Sequence, residues 1–137
     1  AGAGMTGLEA ALAMSRAGKT VTVVDMLPYE KIGAGGTAIN LISIKDLLKE
    51  AGVAIKCGVR IEDITADGVL ICCTDGTKET LPCDTAVLSF GFRTDQALLD
   101  TYSGITPNFY VIGDCSGKGG GNVKKAVTTA FDTAMQI

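Results

Sequence analysis

Apolar and polar positions along this chain fall into two rhythms, one helical and one strand-like. Residues 8–17, Leu-Glu-Ala-Ala-Leu-Ala-Met-Ser-Arg-Ala, are strong helix formers and stop at Gly18, placed as the glycine just past a helix end. Lys19 to Asp25 then carries Thr-Val-Thr-Val-Val, the β-branched run of a buried parallel strand. A Pro- and Gly-rich loop covers Pro28 to Gly36. From Leu41 to Ala51, the residues Leu41, Ile44, Leu47 and Leu48 return at helical spacing, and Gly52 ends the pattern. Val53-Ala54-Ile55 begins another strand.

The rhythm changes over residues 59–83. Val59 to Ile64, Val69 to Cys73 and Thr77 to Leu81 are short strand-like runs separated by Asp67-Gly68 and Asp75-Gly76. Asp-Gly between such runs is a strong hairpin signal, so an antiparallel three-stranded meander is predicted. Thr85 to Ser89 reads as a further apolar strand ending at Gly91. A short helix around Asp95 to Leu99 leads to a last strand, Phe109 to Ile112, then Gly113-Asp114. After the loop of residues 116–121, Asn122 is suited to cap a final helix over Val123 to Gln136. No internal repeat is present.

Composition narrows the chemistry. The chain has 137 residues and a net charge of −3, and 18 of its residues are glycine, about twice the usual share. Histidine is absent, which removes the Ser-His-Asp and Cys-His nucleophile pairs, HExxH zinc sites and any imidazole base supplied by this chain. No basic run interleaved with aromatics points to nucleic acid. No stretch approaches the ~20 apolar residues of a membrane span, and the opening Ala1-Gly2-Ala3-Gly4 lacks the features of a signal peptide. A cytoplasmic location is the default expectation. The cysteines at 57, 72, 73, 83 and 115 have no CxxC spacing. They read as small buried hydrophobes in a reducing compartment, with no zinc or iron–sulfur site and no metal ligand set.

Gly2-x-Gly4-x-x-Gly7 opening a helix is the dinucleotide fingerprint. Its first glycine permits a tight turn, its second lets backbone approach a pyrophosphate, and its third lets helix and strand pack closely. The phosphate then rests on the N–H groups of Met5, Thr6 and their neighbours at the helix N-terminus. Asp25, eighteen residues beyond Gly7 and at the end of the next strand, stands where a carboxylate accepts hydrogen bonds from an adenosine ribose. It would repel a 2′-phosphate, so NAD(H) is favoured over NADP(H). Only Ala1 precedes the fingerprint, so the strand expected before it is missing and the chain reads as an excised piece of a longer protein. The fold class expected is α/β: a Rossmann-like three-layer dinucleotide-binding fold with an inserted antiparallel three-stranded β-ribbon.

A second signature lies near the end. Thr106-Pro-Asn-Phe-Tyr-Val-Ile-Gly113-Asp114 sets a carboxylate at the carboxyl end of an apolar run, ahead of a glycine-rich loop and a helix. With these two motifs the chain resembles the pyridine nucleotide–disulfide oxidoreductase superfamily, over essentially all its length. Within that superfamily it is most similar to the C-terminal flavoprotein part of the NADH:flavin oxidoreductases related to 2-enoate reductase, 2,4-dienoyl-CoA reductase and trimethylamine dehydrogenase. The resemblance implies an NAD(H)-binding domain over residues 1–92, followed by the C-terminal segment of an FAD-binding domain over 93–137. It implies Asp114 hydrogen-bonding the ribityl chain of FAD, with Gly113, Asn122 and Val123 near the flavin. Gly2, Gly4, Met5, Thr6, Gly7, Asp25 and Gly91 would surround NAD. Val87 to Arg93 is similar to the segment where the chain leaves the NAD domain, with Thr94 in place of the usual proline.

FMN and a 4Fe-4S cluster are implied only for upstream parts of the full-length protein. The partners implied are NADH and the FAD and FMN domains of the same polypeptide, and a homo-oligomer is compatible with this reading. The isolated fragment is expected to be inactive and to hold FAD poorly, and no general acid or base is assigned. Lys118 among glycines does not complete a P-loop, because Gly119 follows it, and reads as a solvated loop lysine. The principal rival is a non-enzymatic module that senses NAD or ADP, which would need neither the ribbon nor Gly113-Asp114. A methyltransferase is a more distant third, since it would not carry the second signature.

Overall fold

A computed structural model describes residues 1–33, 35–117 and 122–137. The chain packs into two compact units, Ala1–Phe90 and Gly91–Ile137.

In the first unit, helix α1 (Met5–Arg16) buries Leu8, Ala11 and Leu12. The short strand β1 (Thr22–Asp25) follows, then helix α2 (Ala38–Glu50) and strand β2 (Ala54–Cys57). β1 and β2 pair in parallel, Thr22 opposite Ala54 and Asp25 opposite Cys57. Alternation along β1 sends its two central valines to opposite faces. Val23 packs with Ala3, Leu8, Leu12, Ile44 and Leu48 under the helices. Val24 packs with Val59, Val69 and Ile71 of an antiparallel sheet on the other side. Helices, parallel strands and antiparallel ribbon thus form three layers, as expected from the alternating patterns.

The ribbon consists of β3 (Val59–Thr65), β4 (Gly68–Cys73) and β5 (Lys78–Leu81), in the order β3-β4-β5. Its register shifts between Ile61 and Asp63, a bulge in β3. Glu62, within that bulge, receives Lys78 at 2.6 Å and Arg60 at 2.8 Å. The Asp75-Gly76 turn is held by Asp75, whose carboxylate accepts both the amide and the hydroxyl of Thr77.

The second unit contains helix α3 (Gln96–Tyr102), capped by Asp95, and helix α4 (Val123–Ala134). Asn122 caps α4 as expected, its side-chain oxygen accepting Lys125 N–H at 2.8 Å.

The structure corrects several expectations. The strand expected over Lys19 to Asp25 begins only at Thr22. Helix α2 starts at Ala38, because Thr37 supplies the cap for Asn40 N–H. The loop before it holds one 3-10 turn, Tyr29–Lys31.

Residues 85–89 and 109–112 are not strands. A strand requires a neighbouring backbone. The first segment is met by the single residue Ala1, which donates to Val87 O at 2.8 Å and accepts Ser89 N–H at 2.7 Å, too short a contact for a ladder among the described residues. Phe109, Tyr110 and Ile112 are exposed, and no strand pairs with them among the described residues.

All five cysteines are free, and Cys57, Cys72 and Cys73 are half-buried. Cys83 and Cys115 are exposed, against the expectation of burial, because Cys83 lies in an irregular segment and Cys115 in the 3-10 turn Gly113–Ser116, both outside the sheets. Lys118 and the glycines at 119–121 lie outside the described residues.

Candidate functional site

The fingerprint forms a turn in which each glycine has a separate physical task. Gly2 has φ +95°, and a Cβ there would run into the carbonyl of Ser89. A Cβ on Gly7 would run into the carbonyl of Gly2, so the helix approaches the turn as closely as a bare backbone allows. Gly4, the N-cap of α1, is different: a Cβ there would meet nothing within 4 Å. The space above Gly4 is open, and α1 turns its first N–H groups toward it. That is the cradle a pyrophosphate needs, with the positive end of the helix dipole behind it.

Ala3, between the glycines, is buried and held at both backbone atoms. Its N–H donates to Asp25 Oδ2 at 2.6 Å, and its carbonyl accepts Gly33 N–H at 2.6 Å. The other oxygen of Asp25 accepts Leu27 N–H at 2.8 Å. Asp25 therefore fixes the glycine turn while standing half-exposed at the carboxyl end of β1. The loop after β1 lies against the start of α1: a Cβ on Gly36 would come within 2.6 Å of Met5 Sδ. Ile32, fully buried, anchors the loop from beneath.

Gly2, Gly4, Met5, Thr6, Gly7 and Asp25 are thus gathered at one helix N-terminus, with Thr6 exposed on its rim. Ala3, Gly33 and Gly36 were not singled out from the sequence. The signal available was the spacing alone, since the residue between two fingerprint glycines is where backbone must be anchored. On the same side of the sheet, Lys45 Nζ lies 4.4 Å from the ring centre of Tyr29 and donates to Tyr29 O at 2.9 Å. Cys57, opposite Asp25, has its thiol pushed up by burial and, to a lesser degree, by the Asp25 carboxylate.

In the second unit, Gly113 is buried with φ +62° and opens a 3-10 turn, Gly113–Ser116. Its N–H donates to Thr129 Oγ1 of α4 at 2.8 Å, and its carbonyl accepts Ser116 Oγ at 2.8 Å. Thr94 Oγ1 donates to the backbone carbonyl of Asp114 at 2.9 Å, and Asp114 itself is exposed. Gly113, Asp114 and α4 are therefore brought together, with Asn122 and Val123 at the exposed start of that helix. Gly91 begins this unit with φ +75°. Among the described residues no group of three or more His, Cys, Asp or Glu side chains could hold a metal ion, and no helix is long and apolar enough to cross a membrane.

A glycine turn on a helix N-terminus, an acidic residue at the end of the next strand and a three-layer mixed sheet define a dinucleotide-binding α/β fold. Comparison with known proteins makes the class specific. The family model of the pyridine nucleotide-disulphide oxidoreductases matches residues 1–132. The chain belongs to that family.

A cinnamate reductase from Clostridium sporogenes is 28% identical over 137 residues, covering 99% of this chain and 20% of that protein. A dihydrolipoamide dehydrogenase from Chaetomium thermophilum is 36% identical over 98 residues, covering 67% of this chain and 19% of that protein. A solved structure of a 2-naphthoyl-CoA reductase complex superposes with a TM-score of 0.80 at 26% identity, covering 99% of this chain and 20% of that one. The chain thus spans about a fifth of the length of these relatives.

Proposed function

We propose that this chain is the NAD(H)-binding part, with the tail of the FAD-binding part, of a multidomain flavin oxidoreductase of the 2-enoate reductase kind. The observation that carries the reading is the open cradle over Gly4, bordered by the half-exposed carboxylate of Asp25. The residues present fit a dinucleotide. Gly2, Gly4, Met5, Thr6 and Gly7 would receive its pyrophosphate on backbone N–H groups. Asp25, each of whose oxygens keeps a further lone pair, would accept the adenosine ribose hydroxyls.

Residues 93–137 fit a flavin segment in the same manner. The exposed carboxylate of Asp114 would accept from a polyol hydroxyl, and Gly113 keeps the turn close to α4, the helix that Asn122 and Val123 begin. What the pair of cofactors supplies when bound is hydride transfer from nicotinamide to flavin, and the chain contributes position and electrostatics. Matches along 99% of the chain to a cinnamate reductase and a 2-naphthoyl-CoA reductase support an enoate- or aryl-reducing parent. FMN and a 4Fe-4S cluster belong to the upstream modules of such a parent.

Calorimetric titration with NADH and NADPH tests the central element. NADH is expected to bind at least about tenfold more tightly, since like charge at Asp25 opposes the 2′-phosphate. Equal affinities, or no binding of either, would overturn the assignment.

A further inference from the structure

Shortly after Asp25 the chain exposes an aromatic ring that the glycine cradle does not use. Tyr29 opens the 3-10 turn Tyr29–Lys31 and is 45% exposed. Met26 and Leu27, between it and the acid, are exposed as well. Large apolar side chains thus gather in solvent at the carboxyl end of β1, where a covering partner would be favourable. The turn that carries them is firmly tied. Leu27 N–H donates to Asp25 Oδ1 at 2.8 Å, and Gly58 N–H, just past β2, donates to Leu27 O at 3.1 Å. Lys31 N–H closes the turn on Pro28 O at 2.8 Å.

The ring itself is fixed from α2. Lys45 Nζ stands 4.4 Å from the ring centre, a cation–π contact, and the same ammonium donates to Tyr29 O at 2.9 Å. One lysine therefore grips the residue at ring and backbone together. Cys57, which pairs with Asp25 across β1 and β2, ties this grip to the acid. Burial pushes its thiol up, Asp25 adds to the rise and Lys45 opposes it, so acid and ammonium both reach this end of the strand pair. The ammonium takes one ring face and draws electron density toward itself. The opposite face is then suited to a flat, electron-rich partner.

We propose that Lys45 is a positioning residue, holding Tyr29 so that its second ring face stacks the adenine base of the dinucleotide. The inference rests on the dinucleotide reading, in which Asp25 accepts the hydroxyls of the ribose that carries this base. The base projects from a ribose held at Asp25, and the turn that follows the acid supplies apolar surface to meet it. Stacking depends on ring area more than on hydrogen-bond pattern, so the platform favours purines over pyrimidines without separating one purine from another.

Calorimetric titration of the 137-residue protein with ADP-ribose tests the platform. Tyr29→Ala is expected to weaken binding about tenfold, while Tyr29→Phe, which keeps a ring, stays within about twofold of the parent. Lys45→Met keeps the apolar stem without the charge and is expected to cost about threefold, with Lys45→Arg restoring affinity. Nuclear Overhauser contacts between the Tyr29 ring and the adenine ring protons are expected in the complex, a signal that a purely structural role would not produce. Binding that depends on Asp25 but not on Tyr29 would refute the platform and leave the ribose reading standing. Equal losses in Tyr29→Phe and Tyr29→Ala would place the effect in the hydroxyl and overturn stacking. Full affinity in Lys45→Met would overturn the positioning role. If the parent protein binds neither ADP-ribose nor NADH, the dinucleotide reading and the platform fall together.

Discussion

The carboxylate of Asp25 accepts the amide of Ala3, 22 residues earlier in the chain, at 2.6 Å. One side chain thereby fixes the glycine turn and, under the function proposed above, would also accept the ribose hydroxyls. Replacing Asp25 by Ala is expected to weaken NADH binding by about 1–3 kcal/mol and to erase the preference over NADPH. It should also lower Tm by a few degrees, because the buried Ala3 amide is left without its acceptor. Calorimetry and thermal unfolding of the same variant check both effects.

The glycines of the fingerprint should separate by phenotype. Gly4→Ala places its Cβ in open space, so Tm is expected to stay within about 1 °C while NADH binding falls tenfold or more. Gly7→Ala drives its Cβ into the Gly2 carbonyl, and an unstable or poorly folded protein is expected. Circular dichroism melts beside NADH titrations distinguish the two, and identical behaviour would show that Gly4 is not at the cofactor.

Acid should loosen the ribbon through Glu62. Lys78 at 2.6 Å holds the Glu62 carboxyl below its ordinary range, and Arg60 adds to this. A lowered carboxyl pKa means stability that is present above the ordinary value, about 4.3, and is lost as pH falls through the lowered one. Asp75, lowered by the hydroxyl and amide of Thr77, acts with the same sign. In Glu62→Gln the acid dependence of Tm is expected to flatten, and a profile parallel to the parent's would refute the assignment.

Much of this architecture is legible in the sequence where signals are local. The Asp-Gly turns and the Asn122 cap each depend on residues close together and appear where the sequence predicts them, and the β-branched run into Asp25 forms its strand over the shorter span Thr22–Asp25. The segments 85–89 and 109–112 show what local reading misses. Their apolar runs have strand composition, but strand pairing is decided by a neighbour elsewhere in the chain. The site shows the same division. Spacing points to Gly2, Gly4, Gly7 and Asp25, whereas the roles of Ala3 and Gly33 exist only once the loops have folded onto each other. The exposure of Cys83 and Cys115 is likewise a tertiary outcome, since residue type alone suggests burial.

Cysteine reactivity gives an independent check of that packing. Burial, and then the Asp25 carboxylate, push the Cys57 thiol up, so its thiolate is scarce near neutral pH. Cys83 and Cys115 are exposed. Alkylation followed by peptide mass analysis is expected to label these two first and Cys57 last. Because the thiol pKa is raised in the folded state, stability should also fall as pH climbs past the ordinary thiol value.

The double anchoring of Ala3 also bears on how such a domain can change over evolutionary time. Its amide depends on Asp25, and its carbonyl on Gly33. Loss of the acid at position 25 therefore costs stability as well as any ligand contact, because the same change removes the acceptor of Ala3 N–H. A second substitution that offers this amide another acceptor would restore the stability. Replacements at position 25 are therefore expected to be accompanied by a compensating change beside Ala3.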